Sequence, residues 1–362
     1  MARRDIIVIG ASAGGVEALK TVVGGLPAAL PAAVLVVLHV PSDARSELPA
    51  ILARTSRLPV THARFDRSLA VGTVTIAPPD HHLTVRGDEL HLSRGPRING
   101  HRPAIDPLFQ TAARSGGRRV IGVILSGTLD DGSAGMLDIK LAGGATVVQD
   151  PDDALYSGMP RSVLEQMDVD HVLPAASIPA ALVELAGIEV PDRPTRSAPG
   201  MDMSSPQDDL ETELLSPGDP IEPASGMTCP ECHGALSLEA TGTSERYRCR
   251  VGHAYTAKGL FAAQSEALEE SIWASYRALE ESASLSRRLA DRARRQGLPL
   301  LAERYEQKYA DAKGRADVVR AVLERGRLDA DPDLEADLER DDREQNADGL
   351  GKPEKPDHTK GA

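Results

Sequence analysis

Three residues of this chain are of the types that a serine hydrolase uses as nucleophile, base and orienting acid. Ser12 lies in GASAG, residues 10–14, which matches the G-x-S-x-G pattern of a nucleophile on a tight strand-to-helix turn. His39 ends the apolar run AAVLVVLHV, and its ordinary pKa near neutrality suits it to accept a proton. Asp131 follows a third apolar run and could orient the imidazole, with Asp130 as the second candidate.

The same glycine-rich turn has an alternative interpretation as a dinucleotide-binding loop. That loop needs G-x-G-x-x-G and an acidic residue about 20 residues later. Here Ser12 stands at the second glycine position, and His39 stands where the acidic residue belongs. A serine helix cap, a buried core histidine and an aspartate helix cap are the structural alternatives for the three residues taken singly. The three together favour a Ser-His-Asp triad.

A second group of residues has the spacing of a metal site. Cys229 and Cys232 form C-x₂-C, and Cys249 and His253 form C-x₃-H, which suits a tetrahedral structural Zn²⁺. His233 is the rival fourth ligand. The chain has only these three cysteines, all within one short segment, which predicts a metal site in a reducing cytoplasm rather than a disulfide scaffold.

The elements that must position these residues alternate between strand and helix over residues 5 to about 188. The Val/Ile-rich runs show little polar alternation, as expected for parallel strands covered on both faces. HHLTVRGDELHLSRG, residues 81–95, predicts an inserted hairpin. We expect an α/β protein with a doubly wound, mostly parallel sheet and a site beyond the carboxyl ends of its strands.

The rest of the chain divides by composition. A Pro-, Ser- and Asp-rich stretch predicts a linker, and helical spacing at 257–296 and 299–325, broken at QGLP, predicts a helical hairpin. The apolar face predicted for the second helix comprises Leu301, Tyr305, Ala312, Ala316, Val319 and Leu323. The predicted domains are a catalytic domain (1–188), a linker (189–226), a small zinc-ribbon-like module with the helical hairpin (227–326) and an acidic disordered tail (327–362).

Composition excludes several function classes. The net charge of −13 and the aromatic content of 3% argue against a nucleic-acid partner. No apolar run approaches the length of a membrane helix. The apolar stretch at the start of the chain is too short for a signal peptide. We therefore expect a cytoplasmic protein without membrane insertion.

Several stretches resemble the catalytic domain of the chemotaxis protein-glutamate methylesterases, the CheB family: IGASAGGVEAL, LHVPSD, IAPPDHHL, HRPAIDPLF, GVILSGTLDDGSAGM and YSGMPRSV. The resemblance implies hydrolysis of γ-glutamyl methyl esters on helical chemoreceptors in a phosphorelay pathway, with release of methanol, and also deamidation of glutamines. It implies that Ser12 is the nucleophile, His39 the base and Asp131 the carboxylate. The amides of Ala13 and Thr128 would face the oxyanion. No catalytic cofactor is implied.

The chain departs from the family pattern in three places. Ala13 replaces a common threonine, and Thr128-Leu129 replaces a usual Met-Gly pair. In most family members a receiver-like domain precedes the esterase. Here the resemblance begins at Asp5, so we expect control of the activity to come from elsewhere. Arg102 is either a contact for acidic receptor helices or a loop anchor. The alternative function is a non-catalytic signalling adaptor, and the helical hairpin is a candidate homo-oligomer contact.

Overall fold

The computed structural model of the chain describes residues 2–42, 46–65, 67–191, 224–241 and 244–324. In chain order the strands are β1 (Ala2–Arg3), β2 (Ile6–Ala11), β3 (Ala33–Leu38), β4 (Val60–His62), β5 (Arg67–Ser68), β6 (Val74–Ile76), β7 (His82–Arg86), β8 (Glu89–Ser93), β9 (Val120–Ile124), β10 (Ala145–Gln149), β11 (His171–Leu173), β12 (Glu189–Val190), β13 (Ala224–Thr228), β14 (Ala235–Thr241), β15 (Ser244–Cys249) and β16 (Ala254–Tyr255). The helices are α1 (Gly15–Gly25), α2 (Leu48–Ala53), α3 (Ile105–Gly116), α4 (Ser133–Leu141), α5 (Gly158–Gln166), α6 (Ile178–Gly187), α7 (Ala257–Arg295) and α8 (Pro299–Glu324).

A seven-stranded sheet with the order β11-β10-β9-β2-β3-β6-β4 carries the candidate catalytic residues. All of its strand pairs are parallel. The chain moves from β2 to β3 on one side and later places β9 on the other side of β2, so the strand order reverses about β2. Crevices at such reversals, beyond the carboxyl ends of the strands, are where α/β proteins bind ligands. The predicted α/β class with a parallel sheet is confirmed.

Helices cover both faces of this sheet, which explains why its central strands are apolar on both sides. Helices α1, α2 and α6 pack with one set of alternating strand residues, and every residue of β2 is buried. Helices α3, α4 and α5 pack with the other set. Burial on both faces fixes the register of β2 and β3, and with it the positions at which their carboxyl ends leave the sheet.

The predicted hairpin is present as β7 and β8, which pair antiparallel around the turn at Gly87. Strand β5 pairs with β8 and completes a three-stranded sheet. The loop from 94 to 104 returns from this hairpin to the start of α3 and passes beside the candidate site, as described below.

Residues 224–241 and 244–255 form a four-stranded antiparallel sheet in the order β13-β14-β15-β16. Its small core comprises Cys229, Leu236, Cys249, Tyr255 and Leu260. Both ends of the predicted linker hold strands: β12 pairs with β1, and β13 belongs to the four-stranded sheet. Residues 192–223 of the linker and the predicted tail from 327 lie outside the described residues.

The chain divides into two compact units, Met1–Ala263 and Gln264–Ala362. In the second unit, α8 and the part of α7 from Gln264 onward run antiparallel. Lys313 Nζ lies 2.7 Å from Glu280 Oε1, and the Arg287 guanidinium lies 5.7 Å from the centre of the Tyr309 ring. On the apolar face predicted for α8, Ala312 and Ala316 are buried. The prediction is wrong for Leu301, whose side chain is exposed, and Ala302, one position further along the helix, is buried instead. Among the described residues, no helix is both long and apolar enough to cross a membrane.

Candidate active site

The turn after β2 presents Ser12 at the carboxyl edge of the sheet. The Ser12 N–H donates to the Ser126 carbonyl at 2.9 Å, and Gly15 N–H donates to the Ser12 carbonyl at 2.9 Å as α1 begins. Gly14 has φ 70, the left-handed region that favours glycine. A Cβ added to Gly127 would stand 2.9 Å from the Ser12 Cβ, so this second glycine lets the loop after β9 approach the serine closely.

Ser12, His39 and Asp131 form one hydrogen-bonded chain across three adjacent strand ends. Nδ1 of His39 lies 3.2 Å from the Ser12 Oγ, and Nε2 lies 2.8 Å from Oδ2 of Asp131. A carboxylate only accepts, so the neutral imidazole carries its proton on Nε2 and leaves Nδ1 free to accept from the serine hydroxyl. This is the geometry in which an imidazole can act as a general base.

The Asp131 carboxylate is buried and surrounded by donors. Its Oδ2 also accepts from the Ile105 N–H at 2.7 Å, and its Oδ1 accepts from the Asn99 Nδ2 at 3.0 Å. Burial alone would raise the pKa of Asp131. The hydrogen bond from His39, the positive charge of His39 when protonated and the hydrogen bond from the Ile105 N–H outweigh the effect of burial, and they hold the pKa of Asp131 well below its usual value. The aspartate is therefore ionised wherever the protein is folded near neutral pH.

Asp130, the second candidate for the orienting carboxylate, occupies a different environment. Its Oδ1 accepts from the Thr256 Oγ1 at 2.8 Å. Burial raises the pKa of Asp130, and the neighbouring Asp131 charge adds to that effect. The structure thus turns the two consecutive aspartates in different directions, Asp131 to the histidine and Asp130 to the threonine.

A second histidine stacks on the first. The ring centroids of His39 and His101 are 3.7 Å apart, with an angle of 15° between the ring planes. Burial, followed by the positive charge that the nearby His39 carries when protonated, lowers the pKa of His101 to about 3, so this ring is neutral at neutral pH. The sequence offered no signal for His101 beyond its place in HRPAIDPLF.

The residues expected at the oxyanion position lie in the two segments that meet at Ser12. Ala13 is the next residue in the turn, and Thr128 follows Gly127 in the loop after β9. Within the described residues, neither backbone N–H donates a hydrogen bond to the protein. Leu129 has φ 61, a left-handed backbone conformation that favours glycine. Glycine is the usual residue at this position in the family pattern.

Apolar side chains at the rim of the site are exposed to solvent. Leu155 and Tyr156 are 74% and 46% exposed, and a Cβ added to Gly14 would come within 2.9 Å of Leu155 and 3.1 Å of Tyr156. Leu129, 37% exposed, lies on the neighbouring loop. Arg102 is a loop anchor, since its Nε donates to Asp80 Oδ1 at 2.9 Å and its Nη1 donates to a loop carbonyl at 2.8 Å.

A cluster of thiols and one imidazole occupies the four-stranded sheet. The ligand atoms of Cys229, Cys232, Cys249 and His253 all lie within 4.8 Å of one another. His253 Nδ1 is 3.6 Å from the Cys229 Sγ and 3.5 Å from the Cys249 Sγ, and the Cys232 and Cys249 Sγ atoms are 3.5 Å apart. His233, the rival ligand, is exposed on a turn and outside the cluster.

The fold and the site together place the chain among α/β proteins that hold the residue set of a serine hydrolase at a sheet edge. The family model described as CheB methylesterase matches residues 7–182. The Thermotoga maritima CheB methylesterase catalytic domain, a crystal structure, is 37% identical and is matched over 50% of this chain and 98% of its own, with a TM-score of 0.48. A putative protein-glutamate methylesterase/protein-glutamine glutaminase of Leptospira interrogans serogroup Icterohaemorrhagiae serovar copenhageni is 38% identical over 182 residues, 50% of this chain and 94% of that protein. The chain belongs to the CheB methylesterase family.

Longer relatives match over the same region. Protein-glutamate methylesterase/protein-glutamine glutaminase 2 of Anaeromyxobacter dehalogenans is 44% identical over 184 residues, 51% of this chain and 54% of that protein. The relative of the same name from Pseudomonas aeruginosa is 39% identical over 190 residues, and this match also spans 54% of that protein. The chain spans about half the length of these curated relatives.

Proposed function

We propose that the chain hydrolyses methyl esters of glutamyl side chains on helical, chemoreceptor-like proteins and releases methanol. The observation that carries the proposal is the hydrogen-bonded chain from the Ser12 Oγ through His39 to Asp131 at the crevice edge of the sheet. Membership in the CheB methylesterase family and the names of the relatives support the substrate class. A place in chemotaxis or a related phosphorelay follows from the same likeness.

The reaction balances with these three residues and water. The Ser12 Oγ attacks the ester carbonyl while its proton passes to Nδ1 of His39. Asp131 stabilises the resulting imidazolium through the Nε2–H bond. The tetrahedral intermediate collapses, and methoxide leaves as methanol with the proton from His39. Water then attacks the acyl-serine with His39 as base, which gives the glutamate and restores the Ser12 hydroxyl. Catalysis needs no cofactor.

The developing oxyanion would meet backbone donors on both sides of the nucleophile. The amides of Ala13 and Thr128 are the proposed donors, because both lie in the segments that meet at Ser12 and neither donates a hydrogen bond to the protein within the described residues. Helix α1 begins at Gly15 and adds the positive end of its dipole. Deamidation of glutamine follows the same course with ammonia as the leaving group, and we propose it as a second reaction of this site.

The exposed apolar rim suits a protein substrate better than a free ester. We propose that Leu129, Leu155 and Tyr156 contact the apolar side chains that flank the modified glutamate on a receptor helix. Apolar area buried there would bind the substrate near Ser12 without touching the reacting ester.

We also propose that Cys229, Cys232, Cys249 and His253 hold a structural Zn²⁺ in a zinc-ribbon-like module. Tetrahedral ligands at Zn–S of about 2.3 Å and Zn–N of about 2.0 Å stand roughly 3.5–3.8 Å apart, close to the spacings in the cluster. Oε2 of Glu231 lies 3.4 Å from the His253 Nε2, the ring nitrogen that faces away from the thiols, as metal-bound histidines require. Four protein ligands close the site to substrate. Thiolate ligands need reducing conditions, which fits a cytoplasmic location.

The test of the proposed activity is mass analysis of methylated receptor signalling fragments incubated with the full chain. Hydrolysis converts each methyl ester to the acid, deamidation converts glutamine to glutamate, and peptide mapping separates the two products. Both conversions should disappear in Ser12→Ala. Zinc-loaded, folded protein that converts neither substrate would favour the non-catalytic adaptor. Homo-oligomerisation through α7 and α8 stays a prediction that sedimentation velocity tests.

A further inference from the structure

The triad aspartate is held by an asparagine whose orientation is set from the cysteine-bearing module. Asn99 is buried and has φ 51. Its Nδ2 donates to Asp131 Oδ1 at 3.0 Å, while its Oδ1 accepts the backbone N–H of Thr256 at 2.9 Å. Because Thr256 N–H can only donate, it fixes the amide oxygen on its own side and turns the NH₂ group toward Asp131.

The Thr256 side chain makes a second link to the same strand end. At the start of α7, the Thr256 Oγ1 accepts a hydrogen bond from the Gly259 N–H at 3.0 Å. The hydroxyl proton of Thr256 is therefore free to be donated to Asp130 Oδ1, which lies 2.8 Å away. Asp130 directly precedes Asp131. One threonine therefore contacts both the neighbour of the triad aspartate in sequence and its asparagine partner in space.

A buried ion pair makes a third link, from strand β15. Arg246 Nη2 lies 2.9 Å from Asp106 Oδ2, and Asp106 is 1% exposed. Asp106 Oδ1 accepts the Gly135 N–H at 2.8 Å. Asp106 follows Ile105, whose N–H binds Asp131, so the ion pair holds the donor that faces the carboxylate.

All three links start close to the thiol cluster. Thr256 stands three residues after His253, and Arg246 stands three residues before Cys249. Between them, Ala254 exchanges backbone hydrogen bonds with the 94–104 loop: it accepts the Asn99 N–H at 2.8 Å and donates to the Arg97 carbonyl at 3.3 Å. A four-stranded sheet with so small a core depends on its metal to keep these positions.

We propose that the metal-loaded Cys₃His module positions the Asp131 carboxylate through Thr256 and Asn99, so that zinc occupancy sets the turnover of the serine site. The inference rests on the proposed hydrolase function and on zinc as the metal. Thr256 and Asn99 are positioning residues, since neither touches the substrate. Misplacing a catalytic group by about 1 Å costs up to about 100-fold in rate, so a loosened carboxylate should lower kcat and leave KM nearly unchanged.

The experiment compares Thr256→Val and Thr256→Ser in the full, zinc-loaded chain. Valine keeps the shape and removes the hydroxyl, and serine restores the hydroxyl. Thr256→Val should lose about tenfold or more in kcat with KM within about twofold of wild type, and Thr256→Ser should recover most of the loss. Glu245→Gln, an exposed position on β15, is the matched control and should behave as wild type.

A readout besides turnover follows the triad itself. The His39 Nε2–H proton that faces Asp131 gives a downfield imidazole N–H resonance, which should move or broaden in Thr256→Val and be unchanged in Glu245→Gln. Asn99→Asp keeps the shape of the asparagine side chain but replaces its donor with an acceptor. It should lower kcat at full zinc content, and it tests the link if Thr256→Val fails to fold.

Zinc removal tests the same coupling without substitution. Chelation should slow labelling of Ser12 by a fluorophosphonate probe, and zinc chloride alone should restore the rate. Two outcomes would overturn the inference without contradicting the proposed esterase activity. One is an active wild type whose labelling rate is unchanged after complete zinc removal. The other is a wild-type kcat in both Thr256→Val and Asn99→Asp. If the zinc-loaded wild-type chain neither hydrolyses esters nor reacts with the probe, the proposed function itself is contradicted.

Discussion

Nε2 of His39 lies 2.8 Å from Oδ2 of Asp131, and the opposite ring nitrogen faces Ser12 at 3.2 Å. The aspartate thus selects the tautomer whose Nδ1 can accept the serine proton. It is itself held by an amide and a backbone N–H, which leaves its carboxylate no freedom to rotate. The direction of the imidazole is consequently set by buried groups.

Asp131→Asn should nearly abolish turnover while the chain stays folded. An asparagine amide would place an NH₂ group against one of the donors that now surround the carboxylate, and it would favour the wrong His39 tautomer. By comparison with the same change in serine proteases, kcat should fall by about 10⁴-fold. Steady-state hydrolysis of a methylated receptor fragment measures the loss. Asp130→Asn is the comparison, and an equal loss in both variants would argue that the carboxylates act as a pair.

Gly127→Ala should disable the serine sterically. The added Cβ would overlap the Met159 Sδ and stand 2.9 Å from the Ser12 Cβ, so the serine must move. A displacement of about 1 Å predicts a kcat loss on the order of 100-fold. Gly187→Ala is the matched control, because a Cβ added there meets nothing within 4 Å. Comparable activity in the two variants would contradict the close approach.

His82 should stay neutral well below the pH at which a free histidine protonates. It is fully buried, its Nε2 donates to the Pro96 carbonyl at 3.0 Å, and its Nδ1 accepts the Ala104 N–H at 3.3 Å. Burial lowers the pKa of His82 from 6.5 to about 4. NMR titration of the His82 ring protons measures this pKa, and a midpoint near 6.5 would contradict the burial argument.

The same shift predicts a sign for stability against pH. Between pH 6.5 and about 4 the unfolded chain binds a proton at this histidine and the folded chain does not, so the free energy of unfolding falls as pH falls. The slope from one such group is at most about 1.4 kcal/mol per pH unit. The difference between wild type and His82→Gln in denaturant unfolding at pH 7 and pH 5 isolates this contribution. The variant should lose less stability on acidification than wild type.

Tyr156→Ser should weaken binding of a protein substrate more than it slows the chemical step. The tyrosine ring is exposed at the rim, whereas its backbone N–H bond to the Ser126 Oγ does not depend on the side chain. Loss of one apolar contact worth about 1.4 kcal/mol corresponds to about tenfold in KM. Val71→Ser, exposed at the opposite edge of the sheet just before β6, is the control. A purely kcat effect for Tyr156→Ser would place the docking surface elsewhere.

Sequence alone predicted the parallel sheet because β2, β3 and β9 are uninterrupted Val/Ile-rich runs that only a doubly covered sheet accommodates. It predicted the sheet edge for Ser12 and His39 because each residue directly ends such a run. Asn99 carried only the signal of an Asn-Gly turn, and Thr256 only that of a helix cap. The hydrogen bond between them joins residues 157 positions apart, and no local sequence pattern encodes such a contact. The Leu301 error is confined to the first turn of α8, where Ala302 is the buried residue, since Ala312 and Ala316 are buried as predicted.

The most direct test of the proposed esterase activity is methanol release from a methylated receptor signalling fragment by the full chain and by Ser12→Ala and His39→Ala. We expect release by the wild type at a rate proportional to the enzyme concentration and loss of that release in both variants, each folded and zinc-loaded. Release that survives in Ser12→Ala would contradict the assignment of the nucleophile. Wild-type protein that is folded and zinc-loaded but releases no methanol would contradict the proposed esterase.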